Sequence, residues 1–389
     1  APLGGPARPA GGAGGRLGLA AGDWRLVAGA ALLTIGSGVT HYLAVPSVLA
    51  FAVSAVGLAF LAALVGRSVD ALGDRLGTGA TGAIQSALGN LPELFFSIFA
   101  LRAGLIGVVQ AALIGSILGN VLLVLGLAFV AGGVRHGPQR FRADQARLLS
   151  LLLLLAVAVV IVPTLASALD IPAAHHEGAL SDVAAVILLA VYAAGLLGAL
   201  GPPGRHGGAV EPAHMEPAPQ EPTSRGSAHL EPAGAARWPL PVALIVLAAA
   251  SAAAAAVSNW FVDALRPAIH ALGISEAFAG LVIVAIAGNA VENFVGVQMA
   301  RRNQTDLALS VILQSPLQIA LVLIPVLVLI SPVIGGAALT LVFPPLLLAS
   351  AGLAVVVAAF VVVDGESTWM EGVALLGLYA VIAAAFWWG

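Results

Sequence analysis

Eleven stretches of this chain stay apolar for about 20 residues each, the length a helix needs to cross the hydrocarbon core of a bilayer. They fall at 24–43, 46–66, 80–101, 107–131, 147–168, 179–200, 238–258, 275–300, 306–331, 337–363 and 369–388. Lipid offers the backbone no hydrogen-bond partners, so segments of this kind can only be helices. The expected fold is therefore an all-α polytopic membrane protein, with membrane lipid as its surroundings. Charged residues make up only 9% of the chain, against about a quarter in soluble domains. The net charge of -3 says little, because the distribution of the charges matters more than their sum, and no nucleic acid is expected as a partner. Cysteine is absent, which removes both a disulfide framework and a thiolate metal site.

The segments between the spans set the organisation. Residues 1–23 are rich in Gly, Ala and Pro, lack a signal-peptide layout, and are expected to form a disordered tail. Residues 24–43 form a leading helix, 44–200 a first group of five helices, and 238–389 a second group of five. The linker 201–237, with its repeated Glu-Pro pairs, cannot bury enough apolar surface to fold. All 16 basic residues are arginines; with a cytoplasmic N-terminus and eleven spans, 14 lie inside and only Arg102 and Arg266 outside. The positive-inside rule demands such a bias. The N-terminus is thus expected inside, the C-terminus outside, and the linker cytoplasmic.

Two of the spans carry the same motif. GNLPELFFSIFA begins at Gly89 and GNAVENFVGVQMA at Gly288. An ungapped offset of 199 residues superposes Gly89 on Gly288, Asn90 on Asn289, Glu93 on Glu292, Phe95 on Phe294, Arg102 on Arg301, Ser116 on Ser315, Leu118 on Leu317 and Leu122 on Leu321. The copies occupy the third and fourth spans, then the eighth and ninth. Corresponding spans are five positions apart, an odd number, so the copies cross in opposite directions, the inverted-topology repeat of many secondary transporters. Such transporters place their ligands near the midplane, where the repeats meet.

Glu93 and Glu292 are the leading ligand candidates, because a carboxylate inside a membrane helix costs about 2.5–3.5 kcal/mol on insertion scales. Asn90 and Asn289 share a helix face with them at a spacing of three. Gly89 and Gly288 permit non-helical backbone whose carbonyls become available. Ser116, Asn120, Ser315 and Gln318 complete an oxygen shell or serve as hydrogen-bonding glue between helices. An all-oxygen set suits a hard divalent cation such as Ca2+. Once the cation leaves, two buried carboxylates raise each other's proton affinity, so protons can replace it and antiport follows. No cofactor is expected beyond the transported Ca2+ and H+, and a homo-oligomer is left open.

A plainer reading of each Asn-x-x-Glu is a capping box that starts a helix, with Pro92 in the first turn. His175, His176 and Glu177 fall in an outer loop, and Asp364 and Glu366 in a cytoplasmic turn, where solvation or turn chemistry explains them. No HExxH, paired intramembrane histidines or nucleophile dyad marks an enzyme.

Taken together, the paired motifs, the tail DGESTWMEG and the segment GRSVDALGDRLG resemble the calcium/proton exchangers of the calcium/cation antiporter superfamily. The resemblance implies a leading helix plus two inverted five-helix repeats in a bacterial plasma (inner) membrane. It also implies that Glu93 and Glu292 bind Ca2+ or protons in turn, beside Asn90 and Asn289. Leu91, Pro92, Gly119, Asn293, Gln314 and Pro316 depart from the family pattern. A sodium/calcium exchanger of the same fold is the nearest alternative, but that branch adds an aspartate, and spans four and nine have no acidic residue beyond their first turn. A cation channel is a more distant alternative.

Overall fold

The computed structural model describes residues 20–43, 45–76, 88–199 and 238–388. Readings placed on the N-terminal tail, on 77–87 and on the linker lie outside the described residues. The first helices are α1 (Ala21–Tyr42), α2 (Ser47–Leu76), α3 (Leu91–Arg102), α4 (Ile106–His136), α5 (Ala143–Ala168) and α6 (Glu177–Ala199). After the linker come α7 (Leu240–Leu272), α8 (Glu276–Gly288), α9 (Ala290–Arg301), α10 (Thr305–Ile334), α11 (Pro345–Val362) and α12 (Trp369–Trp387). Two short strands, β1 (Gln139–Arg140) and β2 (Glu366–Ser367), pair antiparallel and tie the α4–α5 connection to the α11–α12 connection.

Among the described residues, eight helices are long and apolar enough to cross a membrane, or nine if α8 and α9, bent by 61°, form one span. The first expected span, now α1, is diluted by Gly29, Thr34, Gly36, Ser37, Gly38 and His41. The third lies partly outside the described residues, and the eighth is broken at Asn289. Both α2 and α7 run past their expected ends at 66 and 258, to Leu76 and Leu272.

α4 and α10 form the centre. Every residue from Val108 to Leu118 is buried, as expected of a helix apolar on all sides. Small residues let neighbours approach: Gly115 of α4 meets the backbone of Leu281 in α8, and Gly280 meets Val108 and Ala111. On another side Gly126 and Gly372 bring α4 and α12 together, such that a Cβ on either would stand within 2.8 Å of the other's carbonyl oxygen. α1, α2 and α7 pack on one another as a second group, and α7 reaches α3.

Element order recurs in the two halves. α3 and α9 correspond residue for residue at the 199-residue offset. Asn90 (φ −93, ψ 19) and Asn289 (φ −96, ψ 20) interrupt the helix with nearly the same backbone. α4 and α10 each widen into a π-helical segment, Gly119–Val124 and Ile319–Leu323, and α8 has another at Ala279–Val284. Such segments break the regular ladder and gather at functional sites.

The expected span 337–363 starts too early. Residues 335–344 are not helical, and α11 begins only at Pro345, because Pro344 and Pro345 suit a helix start and nothing before it. This segment is fastened by side chains from four helices. Leu339 N–H donates to Ser331 Oγ (2.8 Å), Leu341 N–H to Ser181 Oγ (2.9 Å) and Phe343 N–H to Thr164 Oγ1 (3.0 Å). Gln110 Nε2 donates to the Val342 carbonyl at 2.7 Å. Alternate residues Leu339, Leu341 and Phe343 are buried, so the strap is part of the protein interior.

Candidate functional site

The two asparagines stand where the helices break, yet neither side chain caps the helix that follows. A capping box with both of its bonds is made instead at Thr368 and Glu371, at the start of α12. Released from capping, each asparagine reaches the other half of the chain. Asn90 Nδ2 donates to Gln318 Oε1 at 3.3 Å. Asn289 Nδ2 donates to Ser116 Oγ at 2.8 Å and to the Ala285 carbonyl at 3.0 Å. Its Oδ1 accepts from Asn120 Nδ2 at 3.3 Å and from Ser315 Oγ at 3.2 Å. All four hydrogen-bonding positions of the Asn289 amide are therefore occupied.

Asn120 completes this network from the π segment of α4. Its Nδ2 also donates to the Ser116 carbonyl at 2.9 Å, while its fully buried Oδ1 has no partner among the described residues. Buried acceptors are nearly always satisfied. Asn293 Oδ1, one turn into α9, is in the same condition.

Glu93 lines a small, partly open pocket together with Pro92, Phe96, Ser97, Ser116 and Gly288. Its carboxylate lies directly against Gly288: a Cβ built there would stand 2.8 Å from Oε1 and 3.2 Å from both Cγ and Cδ. Gly288 thus makes room for the glutamate of the other motif. It does not provide the unusual backbone expected of it, since the break falls on Asn289 and Gly288 ends α8 in helical form. Gly89, its counterpart, has no atom of the described residues within 4 Å of such a Cβ. The side chain of Glu292 lies outside the described residues.

Of the expected site residues, Asn120, Asn289, Ser116 and Ser315 are thus joined in one buried network. Asn90 and Gln318 form a separate pair, and Glu93 and Gly288 a direct contact. The arrangement offers one carboxylate with amide and hydroxyl oxygens, which suits a hard cation. Phe96, Ser97 and Phe261 of the pocket wall carry no sequence signal that sets them apart from ordinary core, whereas the orphan Asn293 stands out only as a departure from the family pattern. The other candidates stay apart. His175 and His176 are exposed, Glu177 accepts from Ser167, and Glu366 pairs with Arg140 at 3.6 Å. Among the described residues no three His, Asp or Glu converge as a metal cluster.

A separate polar cluster lies at the start of α1. Asp23 accepts from Trp238 Nε1 (2.9 Å), Arg67 Nε (3.1 Å) and the Ala20 N–H (3.0 Å), joining α1 to α2 and to the residues just before α7. Desolvation pushes its carboxyl upward, but the bonds from Trp238, Ala20 and Arg67 outweigh it and hold the group below its ordinary value.

Known proteins share this architecture. The family described as "Sodium/calcium exchanger protein" matches residues 46–201 and 242–388. The Ca(2+)/H(+) antiporter ChaA of Bacillus subtilis is 35% identical over 361 residues, covering 93% of this chain and 97% of its own. A Ca(2+)/H(+) antiporter of Synechocystis is 33% identical, over 89% of this chain and 92% of its own. The solved structure of native YfkE superposes with a TM-score of 0.75 at 32% identity, covering 94% of this chain and 99% of that one.

Proposed function

Since this chain belongs to the sodium/calcium exchanger protein family, within the calcium/cation antiporter superfamily, we propose that it is a secondary active antiporter exchanging Ca2+ for H+. It is an integral membrane protein, and its bacterial relatives point to a bacterial plasma membrane. The observation that carries the reading is Glu93 against Gly288, beside oxygens contributed by both motifs, in a chain 35% identical to a Ca(2+)/H(+) antiporter.

In this reading Glu93 and Glu292 hold the cation and, after its release, take up protons. The Ser116–Asn120–Asn289–Ser315 network and the Asn90–Gln318 pair fix the geometry around them. Two carboxylates neutralise a divalent charge, and two protons restore neutrality when it departs, so an empty charged site does not cross. Alternating access then exposes one site to each side in turn.

The topology proposed is eleven spans, a leading helix followed by two inverted five-helix repeats at 44–200 and 238–389, with the linker 201–237 between them. Helices at each expected position, the recurring order of elements and the two asparagine breaks support it. The arginine distribution supports a cytoplasmic N-terminus and an external C-terminus.

Calcium uptake into everted vesicles under an imposed pH gradient tests the proposal. Uptake is expected to follow the proton gradient and to vanish in both Glu93→Gln and Glu292→Gln. Uptake that survives both substitutions overturns the mechanism, and uptake driven by sodium alone replaces the proton as counter-ion.

A further inference from the structure

Behind the network, on the side of α4 that faces α12, a second group of polar features remains without a role. The Gly126–Gly372 contact fixes the register of these two helices, and Gly133 against Trp369 shows that they run antiparallel. One heptad from that contact along α12, on the same face, stands Tyr379, and α12 packs against the π segment of α4 that opens at Gly119. Tyr379 is 7% exposed, and its hydroxyl has no hydrogen-bond partner among the described residues. Gly119 is buried as well, yet a Cβ built on it would meet no described atom within 4 Å. The next residue is Asn120, with its own orphan Oδ1.

Each of these observations has a bland explanation alone. Together they describe a polar space at the π segment Gly119–Val124, with a donor on one wall and an acceptor on the other. Hydrophobic packing would have filled it with a methyl group, and a buried tyrosine hydroxyl ordinarily finds a partner. Where a buried space has polar walls and several partners, water occupies it.

We propose that Gly119, Tyr379 and Asn120 form an internal hydration site, in which water bridges the Tyr379 hydroxyl to Asn120 Oδ1. The hydroxyl donates to the water and the water donates to Asn120 Oδ1. This bridge holds the Asn120 amide in the orientation that sends Nδ2 toward Asn289. Tyr379 is thereby a positioning residue for the cation site, acting through Asn120 and touching no ion itself. The positioning role rests on the antiport reading above; the hydration site does not.

Radiolytic labelling in H2(18O) tests the site directly, since radicals formed from bound water oxidise the side chain beside it. In the full-length protein Tyr379 is expected to label about fivefold or more faster than Phe129, a buried aromatic of the same helix pair that stacks on Phe141. Gly119→Ala, whose methyl fits the space without collision, is expected to bring the Tyr379 rate down to that of Phe129. A wild-type rate no faster than Phe129, or one unchanged by Gly119→Ala, overturns the site.

Tyr379→Phe, which removes a hydroxyl without a protein partner, tests the positioning role. It is expected to leave thermal stability in place and raise half-saturating Ca2+ about tenfold, with maximal rate within about twofold. An unchanged half-saturation overturns the positioning role. If the wild-type protein exchanges no Ca2+ for H+, the antiport reading and the positioning role fall together, while the labelling rates still decide the hydration site.

Discussion

Replacing Gly288 by alanine tests whether Glu93 is held in place by the opposite motif. The new Cβ would stand 2.8 Å from Glu93 Oε1 and 3.2 Å from Cγ and Cδ. Non-bonded heavy atoms settle at about 3.5 Å, so the carboxylate must retreat by roughly 0.5 Å or more. Metal–oxygen distances tolerate only about 0.2 Å, so a displacement of this size removes a good ligand without unfolding anything. The helix itself is not the weak point, because alanine is favoured over glycine there by up to about 1 kcal/mol. Losing such support for a ligand costs about 10- to 100-fold in affinity. Initial rates of calcium uptake in everted vesicles, measured across Ca2+ concentrations, give the half-saturation. Gly288→Ala is expected to raise it by that factor, whereas Gly89→Ala, with open space at the equivalent position, is expected to shift it by less than about threefold. Equal effects at the two glycines, or none at Gly288, would refute the argument.

Asn289→Ala strips partners from Ser116, Asn120 and Ser315 at once, so a loss of about 2–4 kcal/mol is expected, read as a lower melting temperature in detergent. Asn90→Ala, with its one bond to Gln318, should cost less than half as much. Gly336 has φ +96, and a Cβ there would stand 2.5 Å from the Leu101 carbonyl oxygen, so Gly336→Ala should loosen the strap and cost about 1–3 kcal/mol in the same melts. The Asp23 carboxyl is held below its ordinary value of 3.8, so its contribution is present above that pH and lost as pH falls through the lower folded value. Asp23→Asn should therefore lower the melting temperature at pH 6, and the gap to the wild-type protein should close on acidification below about pH 3.8; a constant gap would refute it.

The helices were legible because lipid leaves the backbone so few options, and the paired motifs because their shared letters survive an ungapped comparison from Gly89 to Leu122. What Asn289 does was only half legible. Its spacing from Glu292 announces a capping box, but a side chain with four partners on three helices gains more than one capping bond could offer. The π segments have no sequence signature, since the same residues serve an α-helix equally well. The strap at 335–344 was signalled by Phe343–Pro344–Pro345, although its apolar alternation hid it within an apparent span. The role of Gly288 depended on a contact with a residue 195 positions away, which no local pattern contains.

The crossed hydrogen bonds have a consequence for how such a chain can change over time. Asn289 is satisfied by Ser116 and Asn120 of the earlier half, and Asn90 by Gln318 of the later one. Neither half satisfies its asparagine by itself, so a duplicated copy has no freedom to drift independently. A replacement at 289 is judged in part by residues about 170 positions upstream. The two halves are in that sense one heritable unit, free to diverge on their lipid-facing sides and bound to each other along this seam.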